Sequence, residues 1–270
     1  MQKSSLQHTT SAQKEKKNQY HYKLLFLFLL SAAGGCVDAL SYLGLGEVFT
    51  ANMTGNTVFL GVKLVYGDIH SAFLSGLSLV GFFTGLSIAF MMTEGKQGEL
   101  FQSQCMIKAA VLEEGLLAAL AVFVQLTNGA PGNWVSLLVF IASAAMGIQS
   151  TMTRRINLRG VATTYITGMM VAAVEGILKN VLSSRRRKAT DDNQAAETKE
   201  NWGFQLSSWV IYLIGGVIGG WFTLHHQKYF GWTAVVIIGL AMIVMLIYRF
   251  DKRMIDKLTQ SKGSGKNVSG

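Results

Sequence analysis

Asp38 lies fifteen residues into an apolar run, Leu24 to Leu43, that holds no other charge. A carboxylate at membrane depth is costly, faces a polar interior and marks a proton or solute path. The stretch Glu47-Val-Phe-Thr-Ala-Asn-Met-Thr-Gly-Asn-Thr57 follows almost at once. Its Thr, Asn and Gly residues are of the kind that interrupt a helix. A helix restarting near Gly55 would point free N–H groups into the membrane, and amide and hydroxyl oxygens there can replace a hydration shell. Asn52, Thr54, Gly55 and Asn56 join Asp38 as candidate solute- or ion-binding residues, with Asn52 and Asn56 four apart and so on one helical face. Each has a plainer reading. Asp38 could cap a broken helix or bond to nearby Thr and Asn, and the polar side chains could simply satisfy backbone that glycine has interrupted.

A weaker echo occurs later in the chain. Thr50-Ala-Asn-Met-Thr54-Gly55 resembles Thr163-Thr-Tyr-Ile-Thr167-Gly168, and Gln149 precedes Thr167 much as Asp38 precedes Thr54. Thr163, Thr167, Gly168 and Gln149 therefore complete the candidate site. Lys63 and Glu175 hold near-equivalent places after the two Thr-Gly pairs, which suggests either a buried ion pair or a lysine reaching an interface and a glutamate facing basic chain. Glu113 and Glu114 also sit at depth. Adjacent helical residues diverge by about 100 degrees, so only one can face the interior.

These residues are embedded in a chain of 270 residues that is 50% hydrophobic and 14% charged. A spanning helix needs about 20 apolar residues. The runs Leu24–Leu43, Ser71–Thr93, Met106–Leu126, Asn133–Thr153, Val161–Val181, Phe204–Leu224 and Tyr229–Tyr248 qualify, and Val48–Tyr66 is a shorter one. The expected class is an all-α polytopic membrane protein. Of 24 Lys and Arg, five lie in residues 1–23, three in 154–159, six in 179–203 and six in 249–270. If both Thr-Gly segments are broken or re-entrant, six spans remain. All four basic clusters then fall on one side, as the positive-inside tendency favours, with both termini cytoplasmic. The halves 23–127 and 133–250 would then run in opposite directions, an inverted repeat. Eight full spans is the alternative. Residues 1–22 and 251–270 read as disordered tails, 183–203 as a basic loop, and 23–250 as one transmembrane domain.

Ala33-Gly34-Gly35-Cys36-Val37-Asp38-Ala39, followed by Val48-Phe49-Thr50-Ala51-Asn52-Met53-Thr54-Gly55-Asn56-Thr57, resembles the YoaK-like family of bacterial membrane proteins. Gly147-Ile148-Gln149 and Thr163…Thr167-Gly168 are similar to its weaker second signature, with Met169 where the first half has Asn56. The resemblance covers roughly residues 22–250. It implies an integral protein of a bacterial cytoplasmic membrane with about six spans, a domain of unknown function, and no stated activity.

Function must therefore be argued from the residues. The chain has no HExxH, GxSxG or GxxxxGK[ST] pattern, so no enzyme, cofactor or metal site is expected. The basic residues flank apolar runs without aromatic interleaving, which argues for membrane lipid rather than nucleic acid as their partner. The leading expectation is a small-solute transporter or channel-like permease, proton-coupled through Asp38. The competing class is a non-transporting scaffold, regulator, or lipid or stress sensor.

Overall fold

The computed structural model describes residues 2–94, 101, 103–129, 132–156, 168, 170–171, 173–178 and 192–264. Its helices are α1 (Gln2–Gly44), α2 (Met53–Val65), α3 (Ile69–Thr93), α4 (Gln104–Leu126), α5 (Val135–Ile156, entered through a 3-10 turn at Gly132–Trp134), α6 (Asp192–His225) and α7 (Phe230–Ser264). Among the described residues there is no strand. Among the described residues, five segments are long and apolar enough to cross a membrane: Asn18–Gly44, Ile69–Thr93, Gly132–Ile156, Gly203–His225 and Phe230–Met254. The 23-residue α4 adds a sixth rod about 35 Å long, which matches a hydrocarbon core of about 30 Å. The protein is thus an all-α polytopic membrane protein. Val48–Tyr66, the shorter apolar run, is irregular chain followed by a 13-residue helix. At about 20 Å, α2 is too short to span.

Helix starts follow side chains that accept the first free N–H groups. Asn52 accepts from Gly55, Asp68 from Ser71 and Ser103 from Met106, so each boundary has its own cap. Of the segments read as tails, residues 2–22 lie within α1 and residues 251–264 within α7; residues 1 and 265–270 lie outside the described residues. The Gln, Lys and Glu in them are good helix formers. The basic loop 183–203 is described only from residue 192, where α6 has already begun.

Two apolar clusters fix the direction of five of the spans. One joins Phe26 and Leu27 of α1, Ala89 of α3, Met106 of α4, Met152 and Ile156 of α5, Phe204 of α6 and Met245 of α7. The other joins Leu40 and Leu45, Leu74, Leu120 and Val124, Leu138, and Phe230 with Ala234. α1, α3, α4, α5 and α7 each reach both clusters, one at each end, and α6 runs alongside α1 in the same direction, with Phe204 stacked on Phe28, Gly215 against Ala32 and Gly219 against Cys36. Successive spans therefore alternate, and α1 and α5 run in opposite directions. These two are the central helices, 67% and 72% buried, against 28% to 39% for α3, α6 and α7. The outer faces carry exposed Phe83, Met91, Val217 and Val236, as expected where lipid replaces water.

The halves pack as counterparts. α1 lies along α6 and α7, while α5 lies along α3 and α4; α1 also meets α5, and α4 meets α7. The match reaches single atoms. A Cβ on Gly35 would overlap the Tyr212 carbonyl and touch the Gly216 N; one on Gly147 would overlap the Phe82 carbonyl and touch the Leu86 N. Three residues before each glycine, Ala32 and Ala144 have carbonyls that leave no room for a Cβ on Gly215 and Gly85, respectively. Glycine at these crossings lets helix backbones meet in lipid.

Candidate functional site

Beyond the end of α1 the chain turns through Gly46 (φ 92°) and Glu47 (φ 57°), two successive residues in the left-handed region. Glycine accepts this conformation freely; glutamate does so at a cost. The turn folds residues 49–52 back over the last turns of α1. There one carboxylate oxygen of Asp38 accepts three consecutive backbone N–H groups, from Thr50 (2.8 Å), Ala51 (2.7 Å) and Asn52 (3.3 Å). Successive N–H groups converging in this way form a concave anion seat. The other oxygen accepts the Tyr212 hydroxyl of α6. Asp38 is 3% exposed. All four donors are neutral, so the carboxylate is stabilised by dipoles and not by a cation.

The irregular segment is tied down elsewhere. Asn56, fully buried, accepts from the Phe49 N–H (2.9 Å) and donates to the Phe49 carbonyl (2.6 Å) and to Ser78 on α3 (2.9 Å). Ser78 also donates to the Phe49 carbonyl and bonds Ser143 on α5. Asn52 caps α2 by accepting from Gly55 at 3.3 Å. The two asparagines thus satisfy interrupted backbone, and Thr54 lies on the exposed face of α2. Lys63 donates to the Glu47 carbonyl at 3.2 Å and sits over the Phe59 ring, which is the interfacial arrangement.

A polar seam continues from Asp38 between α1, α5 and α6. The Tyr212 ring and the Gln149 amide nitrogen both flank Gly34. That nitrogen donates to the Leu30 carbonyl at 2.8 Å, while the Gln149 amide oxygen is buried without a partner. Ser208, one turn before Tyr212 on α6, is fully buried and its hydroxyl is likewise without a partner. Gln149 therefore lies against α1 at Gly34 and Leu30, about one to two turns before Asp38. In the pairing of the two halves, however, the residue opposite Asp38 is Ser150, since each lies three residues after its central glycine. Phe82 stands where Tyr212 does.

Thr163 and Thr167 lie outside the described residues; Gly168 is helical and exposed, and Glu175 is exposed. Of the two glutamates on α4, Glu113 is fully buried with neither carboxyl oxygen bonded. Glu114 is half-buried and leans toward Gly239 of α7. Tyr212 and Ser208 were not anticipated. Their signal is the run Gln205, Ser208, Tyr212, Gly215 and Gly219, spaced three and four apart along one face of α6.

The family model described as "Protein of unknown function (DUF1275)" matches residues 26–247. The UPF0700 transmembrane protein YoaK of Bacillus subtilis (strain 168) is 29% identical over 226 residues, covering 83% of this chain and 95% of the relative. No solved structure matches. The chain belongs to the DUF1275 family.

Proposed function

We propose that this DUF1275 membrane protein is a small-solute permease whose polar centre is the junction of Asp38, residues 50–52 and Tyr212. The observation that carries the reading is that Asp38 joins three separate elements through one buried carboxylate. As an ionised group it accepts four bonds; a proton on it would remove the charge that strengthens them and could reverse the Tyr212 bond, the acid then donating to the phenol oxygen. Protonation thus loosens α6 and the irregular segment from α1 together. Two halves of opposite direction, meeting at matched glycine crossings, supply bodies that can rock about such a centre. The Ser208 hydroxyl, one turn before Tyr212, and the Gln149 amide oxygen, on the side chain that lies against Gly34, offer further polar positions along α1 and α6 for a solute.

The basic residues supply the orientation. Arg154, Arg155, Arg249 and Arg253 close the end of the bundle where α1 begins, whereas the opposite end carries Glu47, Lys63, Asp68 and Lys228. The positive-inside tendency then favours an orientation with the N-terminus and the end of α7 in the cytoplasm of a bacterial cell.

The test is solute depletion. Sealed vesicles containing wild type or Asp38→Asn are incubated with cell extract under a proton gradient, and untargeted mass spectrometry compares what each takes up. A compound moved by wild type alone supports the permease. A second reading, a scaffold or lipid sensor, draws on the fact that Asp38 is fully hydrogen-bonded, as a structural tie would be. Under it, Asp38→Asn is mild and deletion of Arg185–Lys188 abolishes function.

A further inference from the structure

We propose that Glu113 is a second proton-binding site of the permease, held as the neutral acid in this conformation and separate from the Asp38 junction. This rests on the permease reading for its purpose but not for its existence. On α4 the inward residues are Met106, Ala109, Ala110, Glu113, Leu117, Leu120, Ala121 and Val124. Glu113 is their one ionisable member. It falls between Ala109 and Ala110, which belong to one apolar cluster, and Leu117 and Leu120, which belong to the other. That places a carboxyl group at the level where the two clusters meet, midway along the bundle.

Its surroundings define its state. Neither oxygen has a hydrogen-bond partner, and the residue has no exposed surface. An ionised carboxylate so placed would be desolvated with nothing in exchange, whereas the protonated form gives up far less. The elements packed on α4 offer no cation at this depth. α3 has only His70, at its opposite end; α5 has only Arg154 and Arg155, at its last turn; α7 has no ionisable group before Tyr248. On α4 itself the nearest charges are Glu114, which is acidic, and Lys108, more than a turn away.

Asp38 presents the opposite case, a buried carboxylate already supplied with four donors. In this conformation one acid has donors to support a charge and the other has none. A site without donors gains its charge only when water or a polar group reaches it, so proton release from Glu113 is tied to an opening of the bundle between α4, α5 and α7. The proton would then be taken up again on closure, from whichever side the opening faced. Glu114, leaning toward Gly239 on the flank of α7, marks where such an opening would begin.

Infrared difference spectroscopy between acid and alkaline buffers reads this directly, because a neutral carboxylic acid in an apolar site has a carbonyl band distinct from carboxylate and amide. The expected result with full-length protein in lipid is a band that is present at acid pH, disappears at alkaline pH, and is lost in Glu113→Gln. It should persist in Asp38→Asn and Glu114→Gln. A band that survives Glu113→Gln, or a Glu113 band unchanged across the pH range, overturns the proposal. In the vesicle assay, Glu113→Gln should abolish gradient-driven accumulation of the transported compound while leaving its downhill exchange. Accumulation intact in that variant also overturns the proposal. If wild type moves no compound yet the Glu113 band titrates, the permease reading fails and the proton site stands.

Discussion

Tyr212 donates its hydroxyl to the Asp38 carboxylate across 174 residues of chain, tying the middle of α6 to α1 at the level where the irregular segment folds back. A hydrogen bond to a charged acceptor is worth about 1.5–3 kcal/mol. Tyr212→Phe should therefore lower stability by about 2 kcal/mol, read as a reduced thermal midpoint in detergent. Asp38→Ala should cost more, because it orphans three buried N–H groups as well. Asn in place of Asp38 keeps one oxygen for the backbone donors and should fall between wild type and Ala.

The crossing glycines should separate cleanly from the open ones. At Gly35, Gly85, Gly147 and Gly215 a methyl group would strike backbone atoms of a neighbouring helix. Alanine at any of these should destabilise by about 1–3 kcal/mol through forced separation of helices. At Gly61 and Gly115 a Cβ meets nothing within 4 Å, so alanine there should be neutral or stabilising by up to about 1 kcal/mol. Folded yield after size-exclusion chromatography distinguishes the two groups.

Asn56→Asp isolates the donor half of one side chain. The aspartate keeps an acceptor for the Phe49 N–H but loses the donations to the Phe49 carbonyl and Ser78. It also faces that carbonyl with a negative charge. The expected result is a larger loss of stability than in Asn56→Ala, with faster proteolysis between α1 and α2.

At the start of α3, the Ser71 hydrogen bonds hold the Asp68 carboxyl below its usual range. A depressed value means that the cap's contribution is present above the ordinary carboxylate value of about 3.9 and is lost as pH falls through the lower folded value. Exchange of the Ser71 amide should quicken over that acid window in wild type. In Asp68→Asn, which caps without titrating, it should follow only the intrinsic chemistry of exchange.

Topology can be checked on short connectors. Single cysteines at Gly67, Asn128 and Gln227, introduced without Cys36 and Cys105, should all react with an impermeant thiol reagent from one face of the membrane. A cysteine at Lys252 should react only from the other. Mixed labelling among the first three would overturn the alternation of spans.

What the sequence made legible follows the reach of each interaction. Asp38 and residues 50–52 are close in the chain, so a lone acid followed by an interrupted helix was readable as a junction. The tyrosine that completes it was not, because a Tyr inside Phe204–Leu224 has the same signature as ordinary packing. The starts of α2, α3 and α4 were placed only by apolar runs, although Asn52, Asp68 and Ser103 cap over three residues and so carry a local signal. That one of Glu113 and Glu114 must turn inward was evident from helical geometry. Which one required the neighbours, although Ala109, Ala110 and Leu117 at helical spacing from Glu113 already pointed to it. Gln149 was reached as the repeat counterpart of Asp38, whereas the crossing glycines pair Asp38 with Ser150 and set Gln149 against Gly34 and Leu30. The repeat motif offered no register finer than a few residues, and the crossing glycines supplied it.

That register has a consequence for how the molecule rests. Asp38 of the first half meets Tyr212 of the second, and the corresponding pair is Ser150 of the second half with Phe82 of the first. Two halves that traded conformations about their shared axis would not arrive at an equivalent structure, because serine and phenylalanine cannot remake the bond that aspartate and tyrosine give up. For the proposed permease, the equilibrium between its two faces would therefore be unequal by construction. With no solute or gradient it would wait turned to one side, and the acid-phenol bond would be the weight that tips it.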